Sequence, residues 1–245
     1  MTKSINASFL IIGDEILSGR TRDENLNFLA IELGNLGIDL QEVRVVNDKE
    51  DDIIFAVRQL SEKYNYVFTS GGIGPTHDDI TSQSIAKAFN DIYEKNKQAE
   101  DILIKHYGAK NINDAKLKMA YMPRSANLLD NPVSSAPGFF IKNVFVMAGV
   151  PNIFKAMFFC AKKELKTSHK TKAKEVVISL NESSIAKDLE IVQNKYNNIS
   201  IGSYPFKGGT AIVLRSKDKK LIEKAVDDIL KAIRDIDDNS IIEIK

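Results

Sequence analysis

The densest run of chemically capable residues is Gly71-Gly72-Ile73-Gly74-Pro75-Thr76-His77-Asp78-Asp79-Ile80-Thr81. Three glycines in four positions let backbone N–H groups approach an anion without interference from Cβ atoms. Thr81 stands where it can cap a following helix, whose N-terminus favours negative charge. Gly71, Gly72, Gly74, Pro75 and Thr76 are therefore candidate contacts to a phosphate or a carboxylate. The run lacks the Lys-Ser/Thr pair of a P-loop and the final glycine of a dinucleotide fingerprint. Its plainer reading is a Gly-Pro surface turn whose aspartates cap a helix. Asp78 and Asp79 add a second chemistry, because paired carboxylates beside a phosphate repel it unless a divalent cation lies between them. His77, alone in a polar loop, is expected to be exposed.

Three other segments point to the same place. Gly13-Asp14-Glu15-Ile16-Leu17-Ser18-Gly19 and Asn47-Asp48 each follow a predicted strand, and Met147-Ala148-Gly149-Val150-Pro151 is a second strand-to-helix junction with free backbone donors. In a parallel sheet all these strand ends lie on one side, where ligands bind. Gly13, Asp14, Glu15, Ser18, Gly149 and Pro151 join the candidate ligand contacts. Singly each is an ordinary turn or cap; together they outline a carboxylate-rich cleft facing two anion sites, which suits a diphosphate.

The elements that must hold these residues alternate. SFLIIG at 8–13 reads as a strand buried on both faces, 22–36 as a helix, 40–46 as a strand, 51–62 as a helix and YVFTS at 66–70 as another buried strand, the pattern of right-handed βαβ units. Helices are expected at 82–89 and 94–106, an ordered loop over 122–138, a strand pair at 139–142 and 144–147, and a helix from Pro151 to about residue 165. The polar, basic stretch 166–174 reads as a linker. Beyond it come a strand (175–180), a helix (184–195), two strands (199–204 and 210–215), a helix (219–236) and a short strand (241–244). The fold class is α/β: a three-layer, mostly parallel sheet domain over 1–165, then a small α+β domain over 175–245.

Composition narrows the function classes. Lys+Arg number 34 against 33 Asp+Glu, so no basic field exists to drive nucleic-acid binding. The single cysteine, Cys160, sits in an apolar run and is expected to be buried and inert. No apolar run approaches a membrane span and the N-terminus has no signal-peptide pattern, so a cytoplasmic protein is expected.

Four motifs, IGDEILSGRTRDEN at 12–25, TSGGIGPTHDDIT at 69–81, NPVSSAPGF at 131–139 and MAGVP at 147–151, occur in an order that resembles the molybdopterin-binding (MoaB/Mog-like) domain, in its branch within the competence/damage-inducible protein A (CinA) family. The likeness spans about residues 8–165, and the tail looks like the KH-like domain that follows in CinA-type proteins. It implies a site for a phosphorylated pterin or an adenine dinucleotide at the GGIGP loop, with Asn131 among its contacts, in a homo-oligomer (dimer or trimer). It also implies functional carboxylates at Asp48 and Asp79, which with Asp78 would hold a divalent ion (Mg, Mn or Co). The chain departs from the family in having Asp14 where Gly-Thr-Glu is common. It also ends before a nicotinamide-nucleotide amidase domain, so no deamidase activity is expected.

Three functions follow as expectations. The first is metal-dependent hydrolysis of the diphosphate in ADP-ribose or a related dinucleotide, the second molybdopterin binding with adenylyl transfer in cofactor biosynthesis, and the third a non-catalytic nucleotide-binding module. Clamping of RNA by a KH module needs a GXXG loop between helices. The nearest match, Lys207-Gly208-Gly209, falls between predicted strands, so nucleic acid is an unexpected partner.

Overall fold

A computed structural model describes residues 5–168 and 170–245, which form two compact units on either side of residue 169. The first unit opens with β1 (Ile5–Ile12), the short α1 (Asp14–Leu17), α2 (Asn25–Asn35), β2 (Ile38–Val46), α3 (Glu50–Lys63) and β3 (Tyr66–Ser70). There follow α4 (Thr81–Ala88), β4 (Tyr93–Lys95), α5 (Lys97–Tyr107), α6 (Asp114–Lys118), β5 (Tyr121–Pro123) and β6 (Asn127–Leu129). The hairpin β7 (Gly138–Ile141) and β8 (Val144–Met147) leads into α7 (Pro151–Ala161).

The main sheet has the order β2-β1-β3-β8-β7-β6. Its first four strands run parallel, β7 runs antiparallel to β8, and β6 pairs antiparallel with β7. Both faces are covered, which is why β1 and β3 read as continuous apolar runs instead of alternating ones. Leu10 and Ile12 of β1 pack with Ile53, Val57, Ile85 and Leu103 on the face of α3, α4 and α5. Phe9 and Ile11 point the other way, against Leu29 and Leu33 of α2 and Phe154 and Phe158 of α7. The three expected layers are present. Phe158 is fully buried beside Phe68, with ring centroids 5.7 Å apart, so its truncation to alanine would cost about 3–5 kcal/mol.

Several local expectations fail for identifiable reasons. Glu94 and Lys95, expected in a helix, pair with Met122 and Tyr121 across the two-stranded β4–β5 sheet. The helix starts only at Lys97, where Asn96 accepts from the Ala99 N–H as its cap. The expected loop 122–138 contains β5 and β6, three-residue strands too short to show a period. Cys160, expected to be buried, is half-buried on α7, where it packs against the edge of the core of Phe154 and Phe158.

The second unit comprises β9 (Lys172–Ile178), α8 (Glu182–Lys195), β10 (Ser200–Phe206), β11 (Gly209–Ser216), α9 (Lys219–Ile236) and β12 (Ile241–Ile244). Its antiparallel sheet has the order β10-β11-β9-β12. Val176, Ile178, Ile212 and Leu214 pack against Ile185, Ile222 and Ile229 of the helices. Asp218 caps α9 by accepting from the Lys220 and Leu221 N–H groups. β9 begins at Lys172, inside the stretch expected as a linker, because Lys172, Ala173 and Lys174 continue the ladder with Ser216, Arg215 and Leu214.

Candidate functional site

Four parallel strands end on one edge of the first sheet, and each is followed by a turn that carries expected site residues. Two of these turns touch. The Gly71 N–H donates to Met147 O at 3.1 Å, and a Cβ on Gly149 would lie 3.4 Å from Gly71 Cα. Glycine is required at the start of the loop: Gly71 has φ +106 and a Cβ there would lie 2.1 Å from Ile12 O, while Gly72 has φ +67 and its Cβ would lie 2.1 Å from Thr81 Oγ1. Asn25, at the start of α2 and 2% exposed, fastens the two turns together. Its Nδ2 donates to Ser70 Oγ at 3.0 Å and to Gly149 O at 2.8 Å.

Between these turns lies a cavity of about 520 Å³, within the range of pockets that bury small ligands. Gly71, Gly72, Gly74 and Pro75 of one turn and Gly149 and Pro151 of the other line it, together with Glu15, Asp79 and Asn131. Ile73, Met119 and Ile153 supply an apolar surface suited to a ring. No lysine, arginine or histidine is among its lining residues, so the lining itself offers an anion backbone N–H groups and no charged donor.

The carboxylates take different stations. Asp79 Oδ2 accepts from the Thr76 N–H at 2.8 Å and from the Thr76 hydroxyl, which leaves its other oxygen for a ligand. Gly74 permits this placement, since a Cβ there would lie 2.7 Å from that same Oδ2. Asp48 lies outside the cavity lining and is bonded to Asp14. Burial pushes the Asp48 carboxyl above its ordinary range; the hydrogen bond from Asp14 opposes this, and the charges of Asp14, Glu15 and Asp78 add to it. Asp78 is exposed, and its carboxyl is held below the ordinary range, with the charges of His77 and Lys118 contributing; the Thr76 hydroxyl is committed to Asp79. Among the described residues no three acids, histidines or cysteines gather closely enough to chelate a metal unaided.

Some expected contacts serve the scaffold. Asn131 lines the cavity, but its Oδ1 accepts from the Val133 and Ser134 N–H groups and its Nδ2 donates to Ser134 Oγ and Ala136 O, so its amide is used up in shaping the wall. Ser18 donates to Glu15 O, and Gly13 leaves room for the Glu15 carboxylate, which a Cβ would meet at 2.6 Å. Thr81 is the first residue of α4, not its cap, and its buried hydroxyl has no partner. His77 is exposed, as expected. Met119, which lines the cavity, carries no sequence signal that could have singled it out, and Thr21, which also lines it, lies within the 12–25 motif without standing among the expected contacts.

Residues 8–166 match the family described as a probable molybdopterin binding domain. The chain belongs to that family, as a CinA-like member. Residues 170–238 match the middle domain of FAD synthase, so the family match of the second unit is to this domain and not to a KH module. An Archaeoglobus fulgidus protein is 32% identical over 93% of this chain and 98% of its own length. A putative competence-damage inducible protein of Clostridium botulinum is 31% identical over 97% of this chain, which spans 61% of that longer relative. The crystal structure of CinA from Thermoplasma acidophilum, described as of unknown function, has a TM-score of 0.62 and 34% identity, covering 66% of this chain and 98% of its own. Among the described residues no helix is long and apolar enough to cross a membrane.

Proposed function

We propose that the cavity binds a nucleotide containing a diphosphate, ADP-ribose or a related dinucleotide, and hydrolyses the bond between its phosphates. The observation that carries this reading is the meeting of two glycine turns, at Gly71 and Gly149, in a cavity also lined by apolar side chains and the carboxylates Glu15 and Asp79. Two adjacent sets of backbone donors suit two linked phosphates, and the apolar side of Ile73, Met119 and Ile153 suits a base.

The donor set fits a divalent ion that arrives with the substrate. Magnesium is ordinarily held by one or two carboxylates plus substrate phosphates, and the mutual repulsion felt by Asp48 is charge that such an ion would offset. Asp79, which lines the cavity, would hold it together with the substrate's phosphates and at most one further carboxylate, Asp48 at the end of β2; when bound it supplies Lewis-acid polarisation of a phosphoryl oxygen. The glycine turns orient the diphosphate, and a carboxylate of the cleft takes a proton from the attacking water. The P–O bond to the bridging oxygen breaks, and two monophosphates leave. The FAD synthase match of residues 170–238 favours a dinucleotide as the ligand.

A second reading, binding of a phosphorylated pterin with adenylyl transfer onto it, draws on the family description of residues 8–166. The KH-like reading of the second unit adds no RNA-binding role, because Lys207 and Gly208 form the turn of the β10–β11 hairpin, not a helix-to-helix clamp. Purified protein incubated with Mg, Mn or Co and with ADP-ribose, FAD, NAD, or molybdopterin plus ATP separates the readings. Monophosphate products from ADP-ribose or FAD that vanish with excess chelator support the first; adenylylated pterin supports the second. Binding of a nucleotide without turnover would leave the chain a binding module.

A further inference from the structure

Resting on the diphosphate reading above, we infer that Lys118 is the cation that engages the ligand's phosphates at the mouth of the cavity. The cavity's own lining contains two carboxylates and no basic side chain, so an entering diphosphate meets like charge. Lys118 ends α6, and its chain neighbour Met119 lines the cavity. Its Nζ donates to Thr76 O, the carbonyl of the residue whose N–H and hydroxyl hold Asp79. Thr76 therefore carries an ammonium on one side and the Asp79 carboxylate on the other, and its neighbour Pro75 lines the cavity.

Lys63, Lys87 and Lys162 of the same unit are paired with Glu42, Glu50 and Glu32, whereas Lys116 and Lys118 of α6 donate to backbone carbonyls, Lys116 to Asn111 O and Lys118 to Thr76 O; of these two, Lys118 is the one bonded to the glycine loop. Among the described residues Lys118 is within ion-pair distance of no acid, although its charge is felt by Asp78, and its one hydrogen-bond acceptor is a neutral carbonyl. An ammonium has three donors on a flexible stem, so two remain, and a short swing from the Thr76 carbonyl brings all three to a phosphate. Lys118 does not itself line the cavity but stands next to it in the chain, beside Met119, and is half-exposed. A charge-assisted bond to phosphate is stronger than one to a carbonyl, so the ligand wins the lysine from Thr76.

The test compares wild type with Lys118→Met and Lys118→Arg in titration calorimetry with Mg present, using ADP-ribose and adenosine as probes over a range of salt. Engagement of the phosphates predicts that Lys118→Met weakens ADP-ribose binding roughly tenfold or more while adenosine binding is unchanged. Lys118→Arg should recover most of the loss, and the affinity of Lys118→Met should depend less on salt. ADP-ribose affinity of Lys118→Met within twofold of wild type, or an equal loss for adenosine, overturns the inference while leaving the cavity's assignment standing. Failure of wild type itself to bind any diphosphate would remove the assignment and the role of Lys118 together.

Discussion

Asp14 and Asp48 exchange backbone-to-carboxylate hydrogen bonds: the Asp14 N–H donates to Asp48 Oδ2 at 2.9 Å and the Asp48 N–H to Asp14 Oδ1 at 3.4 Å. The ends of β1 and β2 are thus stapled by two acids that repel one another. Burial raises the Asp48 carboxyl above 3.8, and the charges of Asp14, Glu15 and Asp78 add to the rise. A carboxyl raised in the folded state contributes stability when protonated. That contribution is full below 3.8 and is lost as pH rises through the folded value. At neutral pH the ionised Asp48 is therefore a cost.

Asp48→Asn keeps an acceptor for the Asp14 N–H and removes the charge. Its melting temperature at pH 7 should equal or exceed that of wild type, the difference closing as both proteins are taken into acid. Diphosphate turnover should fall by roughly 10²- to 10⁴-fold, the range for loss of a proton-transferring group. A melting temperature below wild type at pH 7 would show that the carboxylate is stabilising and the electrostatic account wrong.

Gly74 and Asp79 make a second coupled pair. Asp79→Asn still accepts from the Thr76 N–H, so stability should change by less than ~1 kcal/mol while turnover falls by roughly 10²-fold or more. Gly74→Ala leaves the carboxylate chemically intact but drives a methyl group to 2.7 Å from its Oδ2. If the station of Asp79 matters, this variant should lose turnover almost as severely as Asp79→Asn, with near-normal unfolding. Normal kinetics in Gly74→Ala would return Asp79 to the role of a turn-forming acceptor.

These pairs show how much of the site is legible in the residues alone. The glycine loop, the second turn at Gly149 and the carboxylates could be placed on one edge, because parallel strands put their ends there. Their individual stations could not. Whether Asp79 faces the ligand or caps a helix depends on the tight approach of Gly74, and whether Asn131 contacts ligand depends on four hydrogen bonds within its own loop. The same divide runs through the fold: β1 and β3 are read from their continuous apolar runs and α9 from its helical period, whereas β4, β5 and β6 are three-residue strands whose pairing is a tertiary fact.

Glu42 gives a stability prediction away from the cavity. Its carboxylate accepts from Lys63 at 2.9 Å, Arg44 at 2.6 Å and the Tyr64 hydroxyl at 2.7 Å, and these partners, Lys63 foremost, hold its pKa at about 2. A depressed carboxyl stabilises the fold at pH values above its ordinary 4.5, and this is lost as pH falls through about 2. Because the group is partly solvated, Glu42→Gln should cost about 1 kcal/mol at neutral pH. Urea midpoints of the two proteins should converge between pH 4.5 and about 2, with turnover unchanged throughout. A gap that persists at the acid end would assign the loss to packing.

Asn25 supplies the sharpest test of how the two glycine turns are held. Its Nδ2 is the donor to both Ser70 Oγ and Gly149 O, and its Oδ1 is buried without a partner. Asn25→Ala deletes two donors and leaves the Gly149 carbonyl without this bond, which should cost about 1–3 kcal/mol. Asn25→Asp matches the shape but sets a carboxylate oxygen against that carbonyl in a buried place, so at neutral pH it should be less stable than the alanine variant. Acid should narrow the gap, since the introduced carboxyl regains one donor when protonated. Because the lost bonds join the walls of the cavity, both variants should also bind ADP-ribose more weakly at temperatures where they remain folded. Chemical denaturation beside calorimetry measures both effects: equal stability of Asn25→Asp and Asn25→Ala across pH would mean that the amide does not donate to Gly149, and that the turns are held by the Gly71–Met147 backbone bond alone.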